Sequence, residues 1–163
     1  MLCVSAVLQR QQQQQQVKRE VRARYLVCPL PVDITSILPP TNKPNPKLGI
    51  CSMAWSPDST LLATVNENMP HAVWVWDVTA ATLTAVLLHL SSVRGVAWSP
   101  DDAQLAVTTG GGRVYMWTPT GSSIVHIPLQ GFSAGAVTWG PDGSSLVLMD
   151  KDAFCCAYIT EGG

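Results

Sequence analysis

A tetrad recurs three times in this chain, and its spacing restricts the fold more than any other feature. Trp55-Ser-Pro-Asp58, Trp98-Ser-Pro-Asp101 and Trp139-Gly-Pro-Asp142 place their tryptophans 43 and then 41 residues apart. Proline presets φ at the second position of a tight turn, and aspartate accepts bonds from backbone donors two residues on. Each Pro-Asp pair therefore predicts a turn. A short apolar run follows each turn, over 61–65, 104–108 and 145–149. A third run closes on an aromatic residue, Trp76, Trp117 or Tyr158, at 21, 19 and 19 positions after the marker tryptophan. Three registers that agree mean one unit repeated, and a unit of this size buries its apolar face only by stacking on its neighbours.

The third run of the first unit, Ala72-Val-Trp-Val-Trp-Asp-Val78, has no polar alternation. Its β-branched and aromatic residues predict a strand, and an unbroken apolar run predicts burial on both faces. Trp74 and Trp76 point one way; Val73, Val75 and Asp77 point the other.

Apolar residues are 47% of the chain and charged residues 13%, so most of it is expected to fold. No apolar run approaches the about 20 residues needed to cross a bilayer. Met1 to Leu8 is apolar but lacks a basic n-region and runs into glutamine, which makes it a poor signal peptide. The five cysteines (Cys3, Cys28, Cys51, Cys155, Cys156) have no paired spacing and read as free thiols. With His71, His89 and His126 far apart in sequence, neither a metal nor another cofactor is expected. The net charge of −1 hides an asymmetry. Residues 9–24 hold five basic side chains against Glu20, whereas from Gly49 onward Arg94, Arg113 and Lys151 face nine acids. An acidic folded part argues against a nucleic-acid partner.

In chain order, residues 1–24 are glutamine-rich and basic and are expected to be disordered. Residues 25–48 hold a short strand from Tyr25 and a proline-rich connector, stiff and extended because proline lacks a donor. Residues 49–163 hold the repeats, in units of about 49–90, 91–130 and 131–163. The expected class is all-β, about three blades of four antiparallel strands. Because propellers close with about four to eight blades, the chain is expected to be part of a larger propeller. Alone it would expose strand edges and self-associate.

These units resemble the WD-repeat β-propeller superfamily from Gly49 to about Thr160, with Trp76-Asp77 as the signature dipeptide. Such repeats carry a histidine nine residues before the first tryptophan and an aspartate six before the second. His89 fits the former and Asp152, counted from Tyr158, the latter; Pro46, Gln130, Pro70 and Gly111 stand elsewhere. The family's hydrogen-bonded network is therefore expected to be incomplete. Asn45-Pro-Lys-Leu-Gly-Ile50, Asn66-Glu-Asn68, Ala72-Val-Trp-Val-Trp-Asp77, Leu90-Ser-Ser-Val-Arg94 and Thr109-Gly-Gly111 are more specific. Over residues 31–158 they are similar to the C-terminal half of the WD-repeat protein "eight" family, associated with centrosomes and spindle poles.

That resemblance implies a non-enzymatic adaptor in the cytoplasm, at a microtubule-organising centre. Its partners would be a coiled-coil anchoring protein and a minus-end-directed kinesin, and its roles minus-end anchoring, spindle-pole organisation and cilium assembly. The alternatives are a scaffold in a ubiquitin-ligase or RNA-processing complex, or a truncated product without function. Thr79 follows Trp76-Asp77-Val78 where cullin-recruiting propellers often carry arginine, and Phe-Arg-Arg-Gly of phosphoinositide-binding propellers is absent. Thr109-Gly-Gly-Gly-Arg113 lacks the lysine and helix of a phosphate loop and reads as a flexible turn. Ser122, Ser123 and His126 have no oxyanion-hole motif beside them. The expected contact residues lie where loops leave the blades: Asn66, Glu67, Asn68 and His71 on a long loop, with Arg94 and Arg113 on the same rim. Arg94, a cation beside an apolar strand, suits a carboxylate.

Overall fold

The computed structural model describes residues 2–8, 23–39, 42, 44, 46 and 48–159. Among them lie thirteen strands and no helix. These are β1 Leu2–Leu8, β2 Ala23–Cys28, β3 Ile50–Trp55, β4 Leu61–Asn66, β5 Met69–Asp77, β6 Thr82–Leu88 and β7 Gly95–Trp98. The rest are β8 Leu105–Thr108, β9 Arg113–Thr118, β10 Gly121–His126, β11 Ala136–Trp139, β12 Ser145–Met149 and β13 Phe154–Tyr158. They form sheets ordered β2-β1-β6-β5-β4-β3, β10-β9-β8-β7 and β11-β12-β13. The runs β3 to β6, β7 to β10 and β11 to β13 are antiparallel meanders, and the innermost strands β3, β7 and β11 neighbour one another in turn. The sheets are three successive blades of a partial propeller.

Alternation of side chains along each strand builds the core between blades. Ala63, Val65, Val73, Val75 and Leu87 of blade 1 meet Trp98, Leu105, Val107, Tyr115 and Trp117 of blade 2. The opposite face of blade 2, through Ala106, Val114 and Met116, meets Val137, Leu146 and Leu148 of blade 3. Every residue of β8 is buried, because this central strand is covered on both sides. Gly95 sets the closeness of the innermost strands. A Cβ there would lie 2.8 Å from Thr108 Oγ1 and 3.2 Å from the Ala136 Cα.

Three expectations need correction. Leu2–Leu8, assigned to a disordered segment, forms a strand parallel to β6 and antiparallel to β2. Its apolar sequence meets an outer edge of β6 that has ladder groups to pair; the glutamine run lies outside the described residues. Second, Val73 and Val75 are fully buried but Trp76 is exposed, so the double-tryptophan strand is not covered on both faces. Third, Tyr158 is not the counterpart of Trp76 and Trp117. Those two oppose Leu62 and Leu105, each also paired with its marker tryptophan, whereas Leu146 opposes Ala157. Blade 3 has three strands among the described residues.

The connector after β2 is extended and packs on blade 1. Val32 and Ile34 pack, as Trp74 does, against the cluster of Ala72 and Val86, and the Ile37 amide donates to the Asn68 carbonyl at 2.7 Å.

Candidate functional site

The repeat markers fall into two kinds of structural work. The indole of Trp98 donates across the blade boundary to the Ala54 carbonyl at 2.9 Å, and Trp139 repeats this to the Ala97 carbonyl at 3.0 Å. Trp117 stands edge-on to Trp98 at 6.2 Å in the same interface. Trp76 stays within its own blade, donating to Thr64 Oγ1 at 3.1 Å and stacking on Trp74.

The aspartates close turns. Asp58 accepts from Ser56 Oγ, the Thr60 amide and Thr60 Oγ1, and Asp142 accepts from the Ser144 amide and Oγ. Those bonds, led by Ser56 and Ser144 respectively, hold both carboxyls below the usual carboxylate range. Asp77 caps the β5–β6 turn through Thr79 Oγ1 and the Ala80 amide, and these bonds lower its pKa. Asp101 departs from the pattern: Asp102 accepts the Ala103 amide instead, and the Asp101 carboxylate turns toward Gly143 of blade 3.

His89 and Asp152 do not form a polar staple. His89 is buried edge-on between Tyr115 and Tyr25, at 4.7 and 6.0 Å between ring centroids, and both its ring nitrogens lack a hydrogen-bond partner. Burial, with a smaller contribution from His71, pushes its pKa down to about 4, so the ring is neutral at physiological pH. Asp152 is exposed. Its neighbour Asp150 does the anchoring, accepting the Ser133 amide at 3.0 Å and the Lys151 amide at 2.6 Å, with a lowered pKa.

The expected contact residues do share one rim. Asn66, Glu67 and Asn68 sit at the β4–β5 connection, but it is a two-residue turn rather than a long loop, and His71 already lies in β5. A line of backbone hydrogen bonds joins the rim. His89 donates to His71, Val93 to Pro70, Arg94 to Thr108 and Gly110 to Ala134, at 2.7–2.9 Å. Arg94 is exposed, with its Cγ 3.5 Å from where a Gly110 Cβ would stand. Arg113 is half-buried at the start of β9, and its Nε is buried without a partner. The glycine connection is pinned rather than flexible, because the Ala134 amide also donates back to the Gly111 carbonyl at 3.1 Å. Gly110 holds φ +73°, a conformation that favours glycine.

A second feature was invisible in the sequence: an apolar groove of about 560 Å³ between blades 2 and 3. Met116, Val125, Ile127, Leu146, Cys155 and Ala157 line it, beside the outer edge of β13. Outer strand β10, which reads as largely polar, hides its apolar contribution. Burial, with a smaller contribution from Cys156, raises the pKa of the Cys155 thiol and keeps it a poor nucleophile. Ser122, Ser123 and His126 lie along β10, where His126 pairs with Arg113. Among the described residues no three His, Cys, Asp or Glu side chains cluster to hold a metal.

Comparison with known proteins places this geometry. The family model "WD domain, G-beta repeat" matches residues 41–77 and 81–118. The mouse (Mus musculus) WD repeat-containing protein WRAP73 is 38% identical over 138 residues, 84% of this chain. The chain spans 30% of that relative's length. Protein HIR1 of Cryptococcus neoformans is 36% identical over 69 residues, which is 42% of this chain and 8% of HIR1. Among solved structures, a chain of the mitotic checkpoint complex superposes with TM-score 0.56 at 22% identity, covering 75% of this chain and 39% of that one. A chain of Kuenenia stuttgartiensis hydrazine synthase gives TM-score 0.51 at 20% identity, covering 66% and 31%. At such identities the likeness is one of fold alone.

Proposed function

The chain is a WD-repeat propeller protein homologous to WRAP73, and from that premise we propose that it is a non-enzymatic adaptor organising microtubule minus ends at a centrosome or spindle pole. WD-repeat proteins are generally protein-interaction scaffolds without enzymatic activity. The proposed partner is a coiled-coil anchoring protein, with a minus-end-directed kinesin as a further component, and the proposed location is the cytoplasmic microtubule-organising centre.

The continuous rim carries this reading. Leu90 and Arg94 are exposed on either side of Val93, which is tied to Pro70, and the Asn66–Asn68 turn continues the same edge. An apolar side chain beside an exposed guanidinium suits a coiled-coil helix, which offers apolar positions flanked by glutamates. The residue runs similar to the spindle-pole family, Asn66–Asn68 and Leu90–Arg94, lie on this surface.

Endogenously tagged protein, purified from dividing cells, should bring down a coiled-coil protein together with γ-tubulin or a minus-end kinesin. Arg94→Glu should lower that recovery at least fivefold while leaving the thermal melt unchanged. Recovery of cullin or spliceosomal subunits in their place would overturn the assignment.

A further inference from the structure

We infer that the boundary between blades 1 and 2 holds a socket for a carboxylate, the side chain of an aspartate or glutamate on a partner protein. Arg113 is its cation, and His89 and Tyr25 are its further donors. This inference goes beyond the adaptor reading and holds whichever protein supplies the acid.

Both walls of the socket are four-stranded blades. On blade 1, His71 and His89 stand opposite each other on β5 and just past β6, joined by the bond from the His89 amide to the His71 carbonyl. Alternation puts them on the face of Val73 and Leu87, which packs on blade 2. On blade 2, Arg113 lies two residues before Tyr115 and so shares the face of Tyr115 and Trp117, which packs on blade 1. The Tyr25 ring of β2 joins the two walls, 6.0 Å from His89 and 5.8 Å from Tyr115. Among the described residues, four of the six buried side-chain polar atoms without a partner lie here: Tyr25 Oη, both ring nitrogens of His89 and Arg113 Nε. Buried polar groups are nearly always satisfied, so orphans gathered on one boundary point to a missing partner.

That partner is an acceptor, because the tyrosine hydroxyl, the guanidinium and a neutral imidazole can each donate. Charge selects which acceptor. His89 is neutral when buried, and Arg113 is the one arginine or lysine in strands β3 to β10. A carboxylate matches that single charge and takes the guanidinium fork in two parallel bonds. A phosphate group, at about −1.5 to −2, would leave negative charge unmatched. The chain does not fill the site from its own strands. Across β2 to β10 the one acid is Asp77, held in the β5–β6 turn at the far end of the blade. Glu67 is tied beside the innermost strand through its amide and the Gly49 carbonyl. The socket opens on the rim, where half-buried His71 and Arg113 adjoin the Val93–Pro70 and Ile127–Gly112 backbone bonds. Turns at the opposite end carry Asp58, Asp77, Asp101, Asp102 and Asp142 with no Lys, Arg or His, which turns an acidic partner toward the rim.

An NMR titration of the labelled chain at neutral pH tests this, with N-acetyl-glutamate methylamide as the probe and its glutamine counterpart as the uncharged control. The glutamate should move the Arg113 Nε–H and His89 ring signals along one saturable curve, and the glutamine should bind about tenfold more weakly. Arg113→Gln should weaken the glutamate curve, read at His89, by about tenfold. Tyr25→Phe should weaken it about fivefold, the worth of one hydrogen bond. Circular dichroism confirms folding of each variant, and Arg113→Lys, which keeps the charge but not the fork, replaces Arg113→Gln if the latter unfolds. Signals that stay in place would show that water satisfies these groups and would overturn the inference. So would equal curves for glutamate and glutamine, or a tighter curve for inorganic phosphate at matched ionic strength, which would make this a phosphate site. A loss from Arg94→Ala as large as that from Arg113→Gln would place the acid on the open rim and do the same.

Discussion

Blades 1 and 2 carry the same Trp-Ser-Pro-Asp tetrad, yet their tryptophans live in different surroundings. Trp98 is 8% exposed, bonded to Ala54 and packed edge-on to Trp117; Trp55 is 48% exposed and reaches no neighbouring sheet. The tetrads are identical in sequence, so the difference does not arise from the four residues themselves. Among the described residues, blade 2 has a sheet on either face and blade 1 has one. The marker tryptophan is thus an element of the boundary between blades, and the Pro-Asp turn is an element of the blade itself.

Truncation should separate the two surroundings most strongly. Trp98→Ala removes a buried aromatic from the blade 1–2 core and should cost about 3–5 kcal/mol, read from the urea midpoint. Trp55→Ala should cost about 1 kcal/mol or less. Equal losses would mean that the tetrad's tryptophan stabilises its own blade.

The next effect is a pH dependence centred on the blade 1–2 boundary. His89 titrates near 6.5 when unfolded and about 4 when folded. Between those values the unfolded chain holds more protons, so stability falls as pH falls, by at most about 1.4 kcal/mol per pH unit. His89→Phe keeps a ring between Tyr25 and Tyr115 and removes the titration. Its drop in Tm from pH 7 to pH 5 should be smaller than that of wild type, and an equal drop would contradict the burial of a neutral imidazole.

The smallest effect should come from the turns. Asp58→Asn should lower the urea midpoint, because the carboxylate accepts from both Ser56 and Thr60, whereas Asp101→Asn should leave it unchanged. The lowered pKa of Asp58 and Asp142 places their contribution above the ordinary carboxylate range, and it is lost as pH falls below that range. A matching loss for Asp101→Asn would restore the equivalence that the sequence suggests.

Those contrasts also mark how far the sequence reaches. Spacing alone located β4, β8 and β12 and the turns before them, because proline, aspartate and β-branched runs act locally. It also put Asn66–Asn68 and Arg94 on one rim. Local signals could not separate Asp101 from Asp58, since what differs is the approach of Gly143 from the next blade. They matched Tyr158 to Trp117 by distance along the chain, although the ladder pairs Leu146 with Ala157. The β1–β6 pairing is parallel and joins residues about 80 positions apart, and nothing within residues 1–8 announces it. The groove escaped for the same reason, being built from two blades and an uncovered edge.

The boundary role of the marker tryptophans is most directly tested by hydrogen exchange at the six indole N–H groups, followed by NMR on dilute protein. The indoles of Trp98 and Trp139 should be protected and that of Trp55 should exchange freely. Exchange of Trp98 and Trp139 as fast as Trp55 in the dilute chain would contradict the boundary role.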